Sequence, residues 1–268
     1  MMMRIKSVHA RCLFGMLAIG AMAAAPGCGY TPPEVEKSPS PRTDGSVQVC
    51  DKAPLPEDAL TLVVLDWDGG QSPLVRDKVL TGFDVSSLDI AEAKSITQEE
   101  FETIVLDRVR EILCVLDPMD VAVIIGDGAD YQDSTVVHIT GDAPANDAKQ
   151  IGQSHFDLCN EHLDDSSVIW GGALATRVKS ATLDEWVNAF ANTIAHETGH
   201  TLGFFHPDPD AVDRLLLTPS SEIMRANTTT EELLKPQAFL LDQDTCPGGV
   251  GVGDTSYRVT GGVPYELE

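Results

Sequence analysis

One histidine-rich stretch, HETGHTLGFFH at residues 196–206, restricts the fold more than any other part of the sequence. His196 and His200 are four residues apart, a spacing that places two imidazoles one above the other on an α-helix. His206 lies six residues further on and would point elsewhere if that helix continued. Gly203 can adopt the positive φ that reverses a chain at a helix end. The stretch therefore predicts a helix that ends near Gly203 and turns back sharply.

This arrangement has the chemistry of a zinc site. Two stacked imidazoles and a third from His206 would bind one Zn²⁺ and leave a fourth position for water, as in catalytic rather than structural zinc sites. Glu197 follows the first ligand and would stand beside that water, where it can act as general base and then pass the proton on. We expect His196, His200 and His206 to be metal ligands and Glu197 to be catalytic.

The surrounding pattern predicts an α+β fold with a mixed twisted sheet. Thr182 and Glu185 form a capping box that opens the histidine helix, and its apolar residues share a stripe roughly opposite the two histidines. A second capping box, Thr97 with Glu100, opens a crossover helix whose apolar positions continue to Leu116 before Pro118. Strands are predicted at 60–65, 121–125, 135–139 and 168–172, and residues 141–165 are expected to be irregular.

The N-terminus has the pattern of an exported protein. Residues 1–28 combine three basic residues, an apolar stretch and small residues, as in a signal peptide. The segment before Cys28 is similar to the lipobox of bacterial lipoproteins, which implies lipidation at Cys28; the alternative is ordinary cleavage near Ala23 or Ala25. Residues 29–57, rich in Pro and Ser, are predicted to be a flexible tether, and 58–268 the folded domain. We expect a bacterial envelope protein, lipid-anchored or secreted.

The charge of the chain excludes some classes of partner, and its cysteine content predicts disulfides. With 42 acidic and 18 basic residues the formal charge is −24, which argues against nucleic acid and against membrane contact except through a lipid. We expect a monomer that acts on a protein or peptide. Once Cys12 and Cys28 are assigned to the leader and the lipid, an even number of cysteines remains for two disulfides of undetermined pairing: Cys50, Cys114, Cys159 and Cys246.

The histidine stretch resembles the extended zinc motif of the metzincin clan of metallopeptidases, matched at His196, Glu197, His200, Gly203 and His206. Eighteen residues after the last histidine, SEIMRA at 221–226 looks like the clan's Met-turn, with Met224 beneath the metal. The resemblance covers roughly residues 58–245. It implies peptide-bond hydrolysis by a zinc-bound water, an upper subdomain over 58–205 and a smaller lower subdomain over 206–268.

One residue that differs from the pattern of two families indicates where the chain belongs within the clan. Astacins and serralysins carry a Tyr two residues after the methionine, and this chain has Ala226 there. That favours a matrixin-like or reprolysin-like bacterial member. Matrixins use a propeptide cysteine to block the metal, for which Cys50 is the upstream candidate, although a disulfide accounts for it more simply.

Other polar residues are weaker candidates. His155 and His162 flank Cys159 and suggest a second zinc, but exposed histidines are the simpler interpretation. Two aspartate clusters suggest Ca²⁺, although turn-forming aspartates are commoner: Asp66 with Asp68, and Asp127 with Asp130 and Asp133. Three further aspartates follow the last ligand and are either substrate-attracting or solubilising: Asp208, Asp210 and Asp213. His138 is expected to be structural.

These observations lead to one functional hypothesis and one rival. The first is an exported zinc endopeptidase in which Glu197 activates the water. The rival is a zinc-binding surface or adhesion module that keeps the fold without catalysis, or an enzyme of narrow purpose. The presence of Glu197 favours the first.

Overall fold

The computed structural model describes residues 61–206, except 91, 114–115, 118–120, 132, 146–148, 158–159 and 161, and then residues 222–239. It also describes three short strands at 241–242, 258–259 and 263–264. The predicted leader, the tether, Cys28 and all four disulfide candidates lie outside the described residues.

The described residues form eleven strands and four α-helices. The strands are β1 Thr61–Asp66, β2 Gly69–Ser72, β3 Val75–Thr81, β4 Leu116–Asp117, β5 Val121–Ile125, β6 Thr135–Thr140, β7 Gly152–Ser154, β8 Ser166–Trp170, β9 Leu241–Asp242, β10 Arg258–Val259 and β11 Val263–Pro264. The helices are α1 Gln98–Leu113, α2 Gly171–Arg177, α3 Leu183–Thr201 and α4 Thr230–Leu233. Short 3₁₀ turns occupy Val85–Ser87, Glu92–Lys94 and Gly128–Asp130.

A five-stranded, mainly parallel sheet in the order β5-β1-β6-β8-β7 forms the centre of the fold. Strands β5, β1, β6 and β8 run parallel, and β7 pairs antiparallel with β8 at one edge. This is the mixed α+β sheet that the sequence predicts, and the strands expected at 121–125 and 135–139 are confirmed to within a residue.

Helices α1 and α3 pack on each other, with α1 beside β5 and α3 beside β6, β7 and β8. An aromatic cluster fills the space between the helices and the sheet, with neighbouring ring centroids 4.7 to 6.2 Å apart. Its members are Trp67, Phe83, Phe101, Trp186 and Phe190. Such rings bury large apolar areas and pack edge to face, so they fix α3 firmly on the sheet.

Helix α3 begins as the sequence predicts. The Thr182 side chain accepts from the Glu185 N–H at 3.3 Å, and the Glu185 carboxylate accepts from the Thr182 N–H at 2.7 Å. The predicted stripe is buried from Trp186 onward, and His196 and His200 opposite it are partly exposed. The rest of α3 from Trp186 to Thr201 is also buried, including its polar residues Asn188 and Asn192. Their amides donate to the carbonyls of Leu233, Leu234 and Lys235, so the segment at 222–239 covers the polar side of the helix.

Three expectations are corrected. Helix α1 ends at Leu113, and Leu116 lies in β4, where it pairs with Val259. Leu116 is three positions after Leu113, which is also a helical spacing, but this residue pairs as a strand instead. Ile104, which the helical spacing places among the apolar positions of the crossover helix, is 42% exposed, because the buried face of α1 instead includes Leu106 and Val109. The strand predicted at 168–172 is β8, and it ends at Trp170, after which Gly171 begins α2.

The stretch expected to be irregular, 141–165, contains the edge strand β7. No pattern in the sequence predicts the antiparallel hairpin formed by β2 and β3. Among the described residues, no helix is both long enough and apolar enough to span a membrane.

The α3 cap yields a prediction about stability. Replacing Thr182 with Ala removes the acceptor for the Glu185 N–H and should cost about 1 kcal/mol of unfolding free energy. In a domain of this size that lowers Tm by about 2–4 °C, measured by thermal unfolding. Thr182→Ser keeps the hydroxyl and should remain near the wild type. An equal loss in both variants would contradict a capping role.

Candidate metal centre

Three imidazoles meet at the end of α3. The Nε2 atom of His206 lies 3.1 Å from that of His200 and 3.1 Å from that of His196. The ligand nitrogens of the three residues all lie within 4.8 Å of one another. Among the residues that the structure describes, no other group of three His, Cys, Asp or Glu side chains is close enough to hold a metal ion.

A tight turn brings His206 back to the helix. Gly203 has φ +93°, its N–H donates to the His200 carbonyl at 3.1 Å, and the Phe204 N–H donates to the Gly199 carbonyl at 2.8 Å. This pair of bonds is a Schellman motif, which satisfies the last carbonyls of a helix and requires a left-handed residue. Gly203 adopts that conformation without a Cβ penalty, as its place in the sequence predicts.

Backbone carbonyls orient two of the rings. The Nδ1 atom of His196 lies 2.7 Å from the Ile223 carbonyl, and that of His200 lies 2.8 Å from the Phe204 carbonyl. A carbonyl can only accept, so each Nδ1 carries the proton and donates it. In the neutral ring, Nε2 then has a free lone pair, and both lone pairs belong to the nitrogens that meet His206.

Burial keeps these rings neutral. It lowers the pKa of His196 and that of His200 to about 4, with the neighbouring His196 adding to the effect on His200. Burial also lowers the pKa of the more exposed His206. Neutral imidazoles with free lone pairs are the form that binds a transition metal.

The donor set fits zinc. Three nitrogens bound at about 2.0–2.1 Å to one tetrahedral ion lie about 3.3 Å from each other, close to the 3.1 Å separations found here. Two of the three histidines, His196 and His200, also have a backbone carbonyl on the second ring nitrogen, which matches the usual surroundings of a metal-bound histidine. His196, His200 and His206 could therefore hold a metal ion.

Glu197 lies next to this cluster in a confined position. It is 7% exposed, and its Oε2 accepts a hydrogen bond from the Ser154 hydroxyl at 2.7 Å. A Cβ added to Gly152 would lie 2.3 Å from Glu197 Oε1, so the backbone of β7 lies directly against the carboxylate. Burial raises the pKa of Glu197, whereas the Ser154 hydroxyl opposes that change.

Met224 is fully buried beneath the helix end. A Cβ added to Gly199 would lie 2.5 Å from Met224 Sδ, so the absence of a side chain at Gly199 allows this contact. The preceding residue, Ile223, supplies the carbonyl that orients His196, and its N–H donates to the Ala238 carbonyl at 2.9 Å. Ala226, at the position of the missing tyrosine, is partly buried.

The weaker candidates have other roles or lie outside the described residues. His162 is exposed, and the half-exposed His155 side chain lies 3.9 Å from Asp165. Asp66 and Asp127 accept N–H bonds from Asp68 and Ala129, as turn-forming aspartates do. His138 is buried on β6, 3.2 Å from Asp66. Asp208, Asp210 and Asp213 lie outside the described residues, whereas the exposed Asp130 and Asp133 belong to no ligand group.

Sequence reasoning missed three residues of the site. Gly152 and Ser154 lie in a short polar strand with no alternating pattern, and Phe156, 53% exposed, contacts the His200 ring at 6.2 Å between centroids. Only the spacing of Gly152 and Ser154 at i and i+2 could have indicated a shared strand face.

A comparison of the sequence with models of known protein families finds no match, and a search of curated proteins also finds none.

Zinc binding should depend on the three histidines. We expect the purified chain to bind one equivalent of Zn²⁺, and His206→Ala to weaken binding by more than the roughly 10–100-fold that a change around the ligands costs. Competition with a chromophoric chelator measures this affinity. His162→Ala, which removes an exposed histidine outside the cluster, is the control. An equal loss in both variants would refute the site.

The loop beside His200 contains an acid whose ionisation opposes folding. Asp157 donates its N–H to the His200 carbonyl at 3.2 Å, and Asp165, 6% exposed, lies near it. Burial, followed by the charge of Asp157, raises the pKa of Asp165 to about 7. An unfolded aspartate has a pKa of about 3.9, so between these values only the folded state keeps the proton. The contribution of Asp165 to stability therefore falls as pH rises through this window.

Asp165→Asn should remove the loss of stability that accompanies ionisation of Asp165. We expect its Tm to exceed that of the wild type at pH 8 and the difference to shrink toward pH 4, measured by thermal unfolding of the metal-free chain. Asp130→Asn, which changes an exposed acid, should give no such pH-dependent difference. A difference between Asp165→Asn and the wild type that is the same at both pH values would contradict the assignment.

Proposed function

We propose that this chain is a zinc-dependent endopeptidase of the metzincin type. The observation that carries the proposal is the meeting of the Nε2 atoms of His196, His200 and His206 beside the buried carboxylate of Glu197. The residues of the extended zinc motif, the turn at Gly203 and the buried Met224 under the helix end support the family resemblance.

Each residue of the site has a definable part in peptide hydrolysis. His196, His200 and His206 would hold the ion. Zinc, when bound, supplies a Lewis acid that polarises a carbonyl and lowers the pKa of water. Glu197 would take a proton from the attacking water and deliver it to the nitrogen of the scissile bond. The C–N bond can then break with a neutral amine, rather than an amide anion, as the leaving group.

The surroundings of Glu197 suit proton transfer. Burial raises its pKa from the ordinary value of 4.5 and so makes the carboxylate a better base than an exposed glutamate, while the Ser154 hydroxyl keeps its anionic form hydrogen-bonded. A carboxylate has about four lone-pair sites, so the bond to Ser154 leaves others for a water molecule.

The edge strand β7 is the natural place for a substrate. It is the terminal strand of the sheet and carries Gly152 and Ser154, both of which contact Glu197. An extended peptide that adds to this edge would pass beside the carboxylate. The exposed ring of Phe156, two residues after Ser154, offers an apolar contact for one of its side chains.

We also propose that the enzyme acts outside the cytoplasm. The pattern of residues 1–28 supports export, and Cys28 supports a lipid anchor on the bacterial envelope, with a Pro- and Ser-rich segment between anchor and domain.

Glu197→Gln tests the catalytic step. The variant keeps the size of the side chain but has no base, so cleavage of an unfolded protein should fall by at least about 100-fold while zinc binding stays within a few-fold of the wild type. New peptide ends, counted by mass spectrometry, measure cleavage. Glu99→Gln, which neutralises an exposed acid on α1, is the matched control and should cleave normally.

Two outcomes would overturn the proposal. If wild type and Glu197→Gln both bind one zinc ion and neither cuts any protein, general proteolysis is wrong and the rival binding module is favoured. If cleavage persists in Glu197→Gln or survives a chelator, the activity does not come from this site.

A further inference from the structure

The hydroxyl of Ser154 is hydrogen-bonded to the buried carboxylate of Glu197. The bond from Ser154 Oγ to Glu197 Oε2 is 2.7 Å, within the range of charge-assisted O–H···O⁻ bonds. An ionised carboxylate only accepts, so the serine donates. Glu197 is 7% exposed, and this bond therefore replaces part of the hydration that burial removes.

Strand β7 presents Ser154 to Glu197 from a fixed position. Gly152 and Ser154 pair with Ile169 and Ser167 of β8. Beyond the strand, the His155 N–H donates to the Ser166 carbonyl at 3.1 Å. The sheet thus determines where the hydroxyl stands, independently of α3, which carries Glu197.

Gly152 closes the other side of the carboxylate. It and Ser154 are two positions apart and so share a face of β7. A Cβ at Gly152 would lie 2.3 Å from Glu197 Oε1 and 2.6 Å from its Cγ, too close for any side chain. The carboxylate therefore lies between the Gly152 backbone and the Ser154 hydroxyl, which restricts the rotation of its side chain.

We propose that Ser154 is a positioning residue that holds Glu197 in the orientation required for proton transfer. The inference rests on the proposed function. It assigns to a side chain of the edge strand a part in catalysis, beyond the backbone of that strand as a site for substrate. The hydroxyl acts only through Glu197 and is not itself a proton carrier in the reaction.

Removing the hydroxyl should lower kcat and leave KM nearly unchanged. Loss of the bond frees the carboxylate to rotate, and a displacement of about 1 Å at a reacting group can cost about 100-fold. We expect kcat of Ser154→Ala to fall about 10- to 100-fold on a fluorogenic peptide cut by the wild type. Ser154→Thr keeps the hydroxyl and suits a strand, so it should recover most of the wild-type kcat.

Ser167→Ala is the matched control. Ser167 is buried opposite Ser154 on β8, and its hydroxyl makes no hydrogen bond with any described residue. Ser167→Ala also removes one serine hydroxyl, on the neighbouring strand β8, and should leave kcat and KM at wild-type values. Zinc affinity, measured by chelator competition, should be equal in Ser154→Ala, Ser154→Thr and the wild type, because the serine touches no ligand nitrogen.

A thermal-unfolding cycle on the metal-free chain tests the contact without activity. Ser154→Ala should lower Tm when Glu197 is present and should change it much less in the Glu197→Ala background. Equal shifts in both backgrounds would show that the two side chains are not coupled and would overturn the inference.

The kinetic outcomes separate the two proposals. A wild-type chain that binds zinc but cuts no peptide overturns the proposed function. A wild type that cuts peptides while Ser154→Ala keeps its kcat, or while Ser154→Thr is as impaired as Ser154→Ala, overturns only the role of Ser154. A rise in KM with kcat unchanged would likewise contradict positioning, because it would indicate a contact with substrate.

Discussion

The hydrogen bonds from two histidine Nδ1 atoms to backbone carbonyls are the constraint on which the whole site depends. The Phe204 carbonyl belongs to the turn that precedes His206, so one local conformation both orients His200 and brings the His206 ring back to the end of the helix. The Ile223 carbonyl comes from a separate segment and orients His196. Without these acceptors the rings could rotate, and either nitrogen could carry the proton. With them, two Nε2 lone pairs meet the third ring at one point.

A buried helix provides the rigidity that such a site needs. Helix α3 packs on the sheet through the aromatic cluster, and the Asn188 and Asn192 amides hold the carbonyls at 233–235 on its polar side. The same segment carries Ile223 and Met224, and Met224 contacts Gly199. The sheet, the helix and the segment at 222–239 thus pack together around the three histidines.

Strand β7 connects the Glu197 carboxylate with the edge of the sheet. Ser154 and Gly152 confine the Glu197 carboxylate, while the strand that carries them ends the sheet. Under the proposed function, a peptide that adds to that edge would lie beside the strand that confines the carboxylate. Under the proposed function, the three residues of β7 connect the binding of a peptide with the proton transfer by Glu197.

The sequence by itself determined the features that depend on residues close together along the chain. The capping box at Thr182, the neighbouring rings of His196 and His200 on one helix face, and the turn at Gly203 are set by helical spacing and glycine conformation, and each is found. The central strands of the sheet were also predictable, because buried parallel strands form continuous apolar runs. Where spacing was ambiguous, as at Leu116, the local pattern predicted a helix that strand pairing replaced.

Only the tertiary structure decided how the site is completed. The Ile223 carbonyl has no signature in a sequence, because every residue has one, and its contact with His196 spans 27 positions. Strand β7 is three residues of Gly, Gln and Ser, whose conformation comes from hydrogen bonds supplied by β8 rather than from its own propensity. Ser154 therefore reaches Glu197, 43 residues away, through sheet pairing alone, and no local pattern could have placed it there.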